Sequence, residues 1–187
     1  SILAIPSVVD HLDYITGLAK PCANINLTQK PPRDSGSRFG GDPYVSPEFE
    51  WPQHEIGDYR FLAQINFSEI SNPPKDLPTS GLLSLFYAYD ENGEVFWGDD
   101  GYVLGVYCAD LSENVIHRSP TKQSTKAISI DLNGGIDIPR HEDLREDWPF
   151  DNDALYDLMD NLEENSEYLL GYPSFTSLAY DPTPKGD

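Results

Sequence analysis

The sequence predicts an α+β domain that is mostly antiparallel β-sheet, with an N-terminal helix and an acidic helix near 151–164. Three observations point to this class: several apolar or alternating runs of strand length, an Asn-Gly pair typical of a tight hairpin, and two stretches with the apolar spacing of a helix face. Strands and helices do not alternate along the chain, which argues against a doubly wound parallel sheet. With 187 residues the chain suits one well-buried core, so we expect a single domain over 1–187.

The first element is a helix predicted over residues 7–19. Apolar residues recur at helical spacing from Val8 to Ala19, Ser7 suits the N-cap, and Pro21 ends the pattern. We expect the apolar face of this helix to pack on a sheet.

Residues 30–52 form an irregular block with five prolines, three glycines and four aromatic residues. Prolines lower the conformational entropy of the unfolded chain, and aromatic side chains supply large buried areas. The composition therefore predicts an ordered, packed loop.

The strands come next. They are predicted over 59–70, 81–89, 102–108, 127–132 and 136–138. Asn92-Gly93 predicts a hairpin turn between Phe86–Tyr89 and Val95–Trp97, since both central positions of a type I′ turn need positive φ. Asn133-Gly134-Gly135 predicts a second hairpin turn between the last two strands.

The last predicted element is a helix over 151–164. Asp151 or Asn152 suits its N-cap, and its apolar stripe consists of Leu155, Leu158, Met159 and Leu162. The opposite face of this helix is almost wholly acidic.

Charge is the strongest compositional signal, with 12 basic against 32 acidic residues and a net charge of −20. A field of this sign repels nucleic-acid phosphates and anionic lipid, so we expect neither a nucleic acid nor a membrane as partner. Residues 137–167, called the acidic window below, hold twelve acidic residues against Arg140 and Arg145, a charge of −10. A solvated face is normally mixed in sign, so this imbalance favours a surface for a basic protein. The candidate partner-binding residues are Glu142, Asp143, Glu146, Asp147, Asp153, Asp157, Asp160 and Glu164.

The common catalytic and cofactor motifs are absent from the sequence, and we predict no catalytic residues, cofactor or metal ligands. Cys22 and Cys108 lie far apart without metal-ligand spacing; we expect Cys108 to be a buried strand residue and leave a disulfide open. His54 is the histidine nearest the aromatic block, where a loop or surface role is favoured over a ligand role. The chain shows no secretory leader or long apolar span, so we expect a cytoplasmic protein.

Residues 97–101 support two alternative functions. Asp99, Asp100 or Glu94, with Trp97 as a sugar platform, would suit a hydrolase or carbohydrate-active enzyme. Asp90, Asp99 and Asp100 would suit a small-ligand or cation-binding protein, although the spacing departs from a calcium loop. A simple turn between strands is the favoured interpretation of these residues.

Several motifs occur together and in order. They are Phe39-Gly40-Gly41-x-Pro43, Trp51-Pro52, Leu62-Ala63-Gln64-Ile65-Asn66-Phe67, Leu77-Pro78-x-Ser80-Gly81-x-Leu83-x-x-Phe86 and Leu170-Gly171-Tyr172-Pro173. With these motifs, which span 37–173, the chain resembles the YwqG-like family of bacterial proteins of unknown function. The resemblance implies a cytoplasmic, largely β domain without an established activity or cofactor.

The chain departs from this family at its end. The family usually has a glutamine shortly after Gly-Tyr-Pro and continues with a closing strand, whereas this chain reads Ser174-Phe175-Thr176-Ser177 and then Pro182-Thr183-Pro184. We therefore expect a final strand pair to be missing or replaced. Relatives of this kind occur near secreted-toxin and stress genes, which implies an immunity protein that neutralises a basic toxin.

Overall fold

The computed structural model describes residues 6, 8–90, 92, 95, 99–120, 125–138, 157 and 167–172. They belong to two compact units, one of residues 25–133 and the other of residues 1–24 and 134–187.

The described residues are dominated by β-strands. In chain order the strands are β1 Lys20–Leu27, β2 Arg38–Phe39, β3 Tyr44–Val45, β4 Gln53–His54, β5 Gly57–Asn66, β6 Leu82–Ala88, β7 Val103–Cys108, β8 Val115–Ile116, β9 Ile128–Asp137 and β10 Tyr168–Leu170. The helical elements are α1, Leu12–Gly17, and the 3₁₀ turns Val9–His11 and Phe67–Glu69.

The unit of residues 25–133 contains the larger set of paired strands. Their order is β9-β2-β5-β6-β7, with β4 also paired to β5, and β3 pairs separately with β8. Each of these pairs is antiparallel. In the longest pair, Phe61 lies opposite Phe86 and Asn66 opposite Leu82, with a register shift between Phe61 and Ala63.

The core of this unit follows from the alternation along β6, where every second residue is buried. Phe86 and Ala88 pack with Tyr59 and Phe61 of β5 in a buried cluster. Aromatic residues of the 30–52 block, Phe49 and Trp51, pack against the same cluster. The prediction of a packed loop is therefore confirmed.

In the other unit, β10 pairs antiparallel with β1, and Cys22 lies opposite Leu170. Helix α1 buries Ile15, and Val8 just before the 3₁₀ turn is fully buried. The helical segment is shorter than the predicted 7–19, because the chain leaves α1 at Gly17 and enters β1 at Lys20.

The β-rich, antiparallel class with a short N-terminal helix is confirmed. Strands β5, β6 and β7 lie where 59–70, 81–89 and 102–108 were predicted. Strand β5 ends at Asn66 because the Asn66 side chain accepts a hydrogen bond from Ser68 N and caps the 3₁₀ turn. The acidic helix at 151–164 lies outside the described residues apart from Asp157, and most of the Asn92-Gly93 hairpin lies outside them as well.

The predicted hairpin at Asn133-Gly134-Gly135 is wrong, since β9 runs without a turn from Ile128 to Asp137. The glycine at 135 is explained by packing rather than by a turn. A Cβ atom on Gly135 would lie 2.6 Å from Asn24 Nδ2 and 3.4 Å from Cys22 Sγ, so a side chain here would require the Asn24 side chain of β1 to move. The strands that were not predicted are β1, β2, β3, β4, β8 and β10.

Cys22 and Cys108 do not form a disulfide. Cys108 lies at the end of β7 as predicted, but it is half-buried rather than buried, and its Sγ donates to Asp110 O at 2.9 Å. Among the residues that the structure describes, no helix has the length and apolar character needed to cross a membrane.

Candidate functional site

The acidic window is the surface that the sequence favours. Of its eight candidate residues the structure describes Asp157, which is exposed. The other seven lie outside the described residues: Glu142, Asp143, Glu146, Asp147, Asp153, Asp160 and Glu164.

Asp137, the first acidic residue of the window, is not part of an exposed surface. It is 3% exposed, and its Oδ2 accepts a hydrogen bond from Tyr172 N at 2.8 Å. Gly171 has φ of +77°, and a Cβ there would lie 2.8 Å from the same carboxylate oxygen. Asp137 therefore holds the Gly171-Tyr172 turn and has a structural role.

Tyr172 connects this turn to the N-terminal part of the same unit. Its hydroxyl donates to Leu18 O at 2.7 Å, and Lys20 Nζ lies 3.9 Å from the centre of its ring. Burial raises the pKa of the Tyr172 hydroxyl, and the Asp137 carboxylate raises it further. Gly171 and Tyr172 thus have a packing role that the sequence does not reveal.

Of the carboxylates proposed for cation or sugar chemistry, the structure describes Asp90, Asp99 and Asp100. Asp90 accepts hydrogen bonds from Asn92 N at 2.8 Å and Val95 N at 3.0 Å, as a turn-stabilising aspartate does. Asp99 and Asp100 are exposed, and no metal-binding cluster of His, Cys, Asp and Glu occurs within the described part of the chain. Glu94 and Trp97 lie outside that part.

His54 is held by local contacts. Its Nδ1 accepts a hydrogen bond from Ile56 N at 3.4 Å, and its ring packs edge-to-face on Tyr59. These contacts show that His54 belongs to the tight turn between β4 and β5.

The start of the 30–52 block is fixed by Arg38, which is 3% exposed. Its guanidinium donates to the carbonyl oxygens of Arg33 at 3.0 Å and Asp34 at 2.6 Å, and also to Asp42 O. Burial lowers the pKa of Arg38, and the nearby charges of Asp34 and Asp42 oppose this shift. Arg38 is thus a buried cation that holds two loops by their backbone oxygens.

Gln64 on β5 completes this network and is fully buried. Its amide donates to Asp34 O and Gly36 O, both at 2.8 Å, and its oxygen accepts from Tyr44 N at 3.1 Å. All the polar atoms of this side chain therefore serve the loop. The Gln-Ile-Asn motif of β5 therefore supports the structure of the 30–52 block.

The second half of the block packs through aromatic rings. Phe49 stacks on Phe86 at 5.7 Å between ring centres and meets Trp51 edge-to-face at 5.9 Å. His117 lies against both Phe49 and Trp51. Its Nδ1 is buried and has no hydrogen bond to any residue within the described ranges.

Replacing His117 with phenylalanine is expected to raise the free energy of unfolding by about 1 kcal/mol, because a buried nitrogen without a partner costs about 1–3 kcal/mol. Urea denaturation measures the change. The matched control is His54→Phe, which loses a hydrogen bond and is expected to be neutral or destabilising. A loss of stability in His117→Phe would show that Nδ1 has a partner in solution.

A concave site lined by described residues lies in the unit of residues 25–133. It is a cavity of about 540 Å³ between the 28–37 segment, β9 and the residues after β5. Four ionisable side chains line it: Lys30, Arg33, Glu69 and Asp131. We call it the polar cavity.

The ionisable residues of the polar cavity form two ion pairs. Lys30 Nζ lies 2.7 Å from both carboxylate oxygens of Asp131, and Arg33 pairs with Glu69 Oε1. The second oxygen of Glu69 accepts from Ser37 N at 2.7 Å. The cavity is therefore balanced in charge, in a protein with a strongly negative net charge.

No local sequence pattern indicates this site. Asp131 is 101 positions from Lys30, and Glu69 is 36 positions from Arg33, so no local motif links them. The available signal was the pair of basic residues around Pro31-Pro32 in a chain with few basic residues.

One comparison with known proteins gives a match. The model of a protein family described as a domain of unknown function (DUF1963) matches residues 37–185, and no curated protein matches the chain. The matched span begins at buried Ser37 and includes the 37–52 block, Gln64 and the Gly171-Tyr172 turn. This chain therefore belongs to the DUF1963 family of domains of unknown function.

Proposed function

We propose that this chain is a non-enzymatic protein-binding module that binds a basic protein through an acidic surface. The observation that carries the proposal is the distribution of charge, since the acidic window holds −10 of a net charge of −20. Like charges packed this closely destabilise the isolated protein, and a basic partner would relieve the repulsion.

The described residues support a strongly negative surface. Among the acidic residues that the structure describes, Asp137 is the one that is buried. The exposed ones are Asp10, Asp13, Asp34, Glu48, Glu50, Glu55, Asp76, Asp99, Asp100, Asp110, Glu113, Asp157 and Glu167. A basic protein would be attracted from a distance by this field.

The partner class that fits best is a basic toxin such as a nuclease, which makes the chain an immunity protein. A nuclease presents cations where it binds phosphates, and carboxylates can occupy those positions and block them. We further propose that the chain is a YwqG-like member of its family, on the motifs between Phe39 and Tyr172.

The experiment is affinity purification from the source cells, followed by kinetics with the purified partner at rising salt. We expect a basic partner whose association rate falls roughly tenfold or more between low and physiological ionic strength, because electrostatic steering is screened. An acidic or neutral partner, or a rate that does not depend on salt, would contradict the proposal.

A further inference from the structure

We propose that the polar cavity binds a small zwitterion, a molecule with one carboxylate and one ammonium group, as in an amino acid or short peptide. The inference goes beyond the proposed protein-binding function and depends on different residues. It rests on the size of the cavity, its paired charges and its free hydroxyl groups.

The cavity has the form of a small-molecule site. Its volume of about 540 Å³ falls within the roughly 300–1,000 Å³ of typical ligand pockets. Ser37 and Ser129 are 3% and 8% exposed, whereas the side chains of Lys30 and Arg33 are 67% and 73% exposed. A ligand that enters the cavity would therefore contact the exposed Lys30 and Arg33 first and the buried polar residues afterwards.

Hydroxyl groups at this site are available to a ligand. Ser71 and Ser129 both line the cavity, and neither hydroxyl bonds to another residue that the structure describes. Neighbouring Ser37 differs, since its Oγ accepts from Asn66 N at 2.9 Å. The structure thus leaves two hydroxyls that can donate to or accept from a bound molecule.

The charges select for a ligand with both signs. Lys30 and Arg33 face Asp131 and Glu69, so a ligand with a single charge would displace one partner and leave another unpaired. A zwitterion replaces both: its carboxylate takes the place of Asp131 at Lys30, while its ammonium binds the released carboxylate. Exposed ion pairs contribute little to stability, so this exchange costs little.

A second, smaller cavity of about 320 Å³ adjoins the first and shares Thr28, Lys30, Pro31 and Ser129 with it. Lys126 lines this extension and is exposed. A peptide longer than one residue could extend its carboxylate towards Lys126.

Other ligand classes fit less well. Among the described residues that line the two cavities, there is no aromatic ring on which a nucleobase could stack. Anions are repelled at long range by a protein of net charge −20. The two ion pairs favour a small molecule that is neutral overall and carries both charges.

The test is a thermal-shift screen of the full chain with the protein amino acids and a set of dipeptides. Each compound is compared with its N-acetyl and C-amide forms, and hits are confirmed by calorimetry. We expect at least one free zwitterion to raise the Tm saturably, and both blocked forms to bind at least about tenfold more weakly, because each blocked form loses one charged group and its charge-assisted hydrogen bonds.

Variants locate the binding. Lys30→Gln and Asp131→Asn are expected to weaken binding of the hit at least about tenfold each. The double variant keeps the net charge, removes both partners of the exposed pair and is expected to lose binding while remaining folded. The control for Lys30→Gln is Lys75→Gln, which also removes one positive charge but lies at an exposed position outside the cavity. It should leave binding unchanged.

Three results would overturn the inference. They are a screen in which no zwitterion shifts the Tm, blocked forms that bind as tightly as the free compounds, and Lys30→Gln and Asp131→Asn variants that bind like Lys75→Gln. Loss of binding with intact folding in the double variant separates a ligand site from a purely structural pair.

Discussion

Replacing Gly40 with alanine is expected to lower the free energy of unfolding by about 2–5 kcal/mol. Gly40 has φ of +64°, a region that costs a non-glycine residue about 1–2 kcal/mol. An added Cβ would also lie 2.5 Å from Thr125 Oγ1 and 2.8 Å from Lys126 O. Because one of these atoms is backbone, the contact cannot be relieved by a rotamer change, and overpacking adds about 1–3 kcal/mol.

Two further glycines separate these contributions in urea denaturation. Gly57 has φ of +142° with nothing within 4 Å of the added Cβ, so Gly57→Ala is expected to cost about 1–2 kcal/mol from the backbone alone. Gly17 lies in α1 in open space, so Gly17→Ala is expected to add about 0.5–1 kcal/mol of stability. Equal effects at Gly40 and Gly57 would show that the close approach of residues 125–126 does not hold in solution.

Replacing Arg38 with methionine is expected to lower the free energy of unfolding by about 3 kcal/mol, because it removes a buried cation and its hydrogen bonds to backbone oxygens. Asp34 O and Gly36 O would each keep a hydrogen bond from Gln64, whereas Asp42 O would lose its bond from Arg38. Arg118→Met, at an exposed position, is the control and should change stability by less than about 0.5 kcal/mol.

The shared oxygens make a second expectation possible. Gln64→Leu and Arg38→Met together would leave Asp34 O and Gly36 O without either side-chain donor. Unfolding of the single and double variants should therefore reveal a coupling energy of about 0.5–3 kcal/mol. Additive effects would mean that the two side chains act independently on the loop.

Local patterns predicted the central strands well. Strands β5 and β6 have apolar runs bounded by turn residues, and the alternation of β6 matches a strand with one buried face. The short strand β2 was missed because Arg38 is charged and looks like a surface residue in the sequence. Its burial depends on carbonyl oxygens from two loops, which no local pattern records.

The error at Asn133-Gly134-Gly135 has a similar origin. Adjacent glycines after asparagine usually mark a turn. Here Ser71 N donates to Leu132 O, and the side chains of Asn24 and Cys22 occupy the space that a Cβ atom on Gly135 would need. The signal for glycine was correct, whereas its cause lay in a neighbouring strand.

The candidate sites show the same limit. The composition of the acidic window is evident from the sequence, yet Asp137 within it is buried as a support for Tyr172. The polar cavity is lined by residues that lie far apart along the chain. Its ion pairs depend on how the 28–37 segment lies beside β9. The net charge could therefore be predicted from the sequence, whereas the positions of the charged side chains in the structure could not.

The central claim, that the acidic window binds a basic partner, is tested most directly by removing four charges from it. The variant combines Asp153→Asn, Asp157→Asn, Asp160→Asn and Glu164→Gln. A matched control removes four charges at exposed positions elsewhere, Glu50→Gln, Glu55→Gln, Asp76→Asn and Glu113→Gln.

The measurement is the association rate constant with the purified partner at low salt. We predict that the window variant associates roughly tenfold more slowly and with a weaker salt dependence, while the control stays within about threefold of the unmodified chain. An unchanged rate for the window variant, or an equal loss in the control, would contradict the claim that the window is the binding surface.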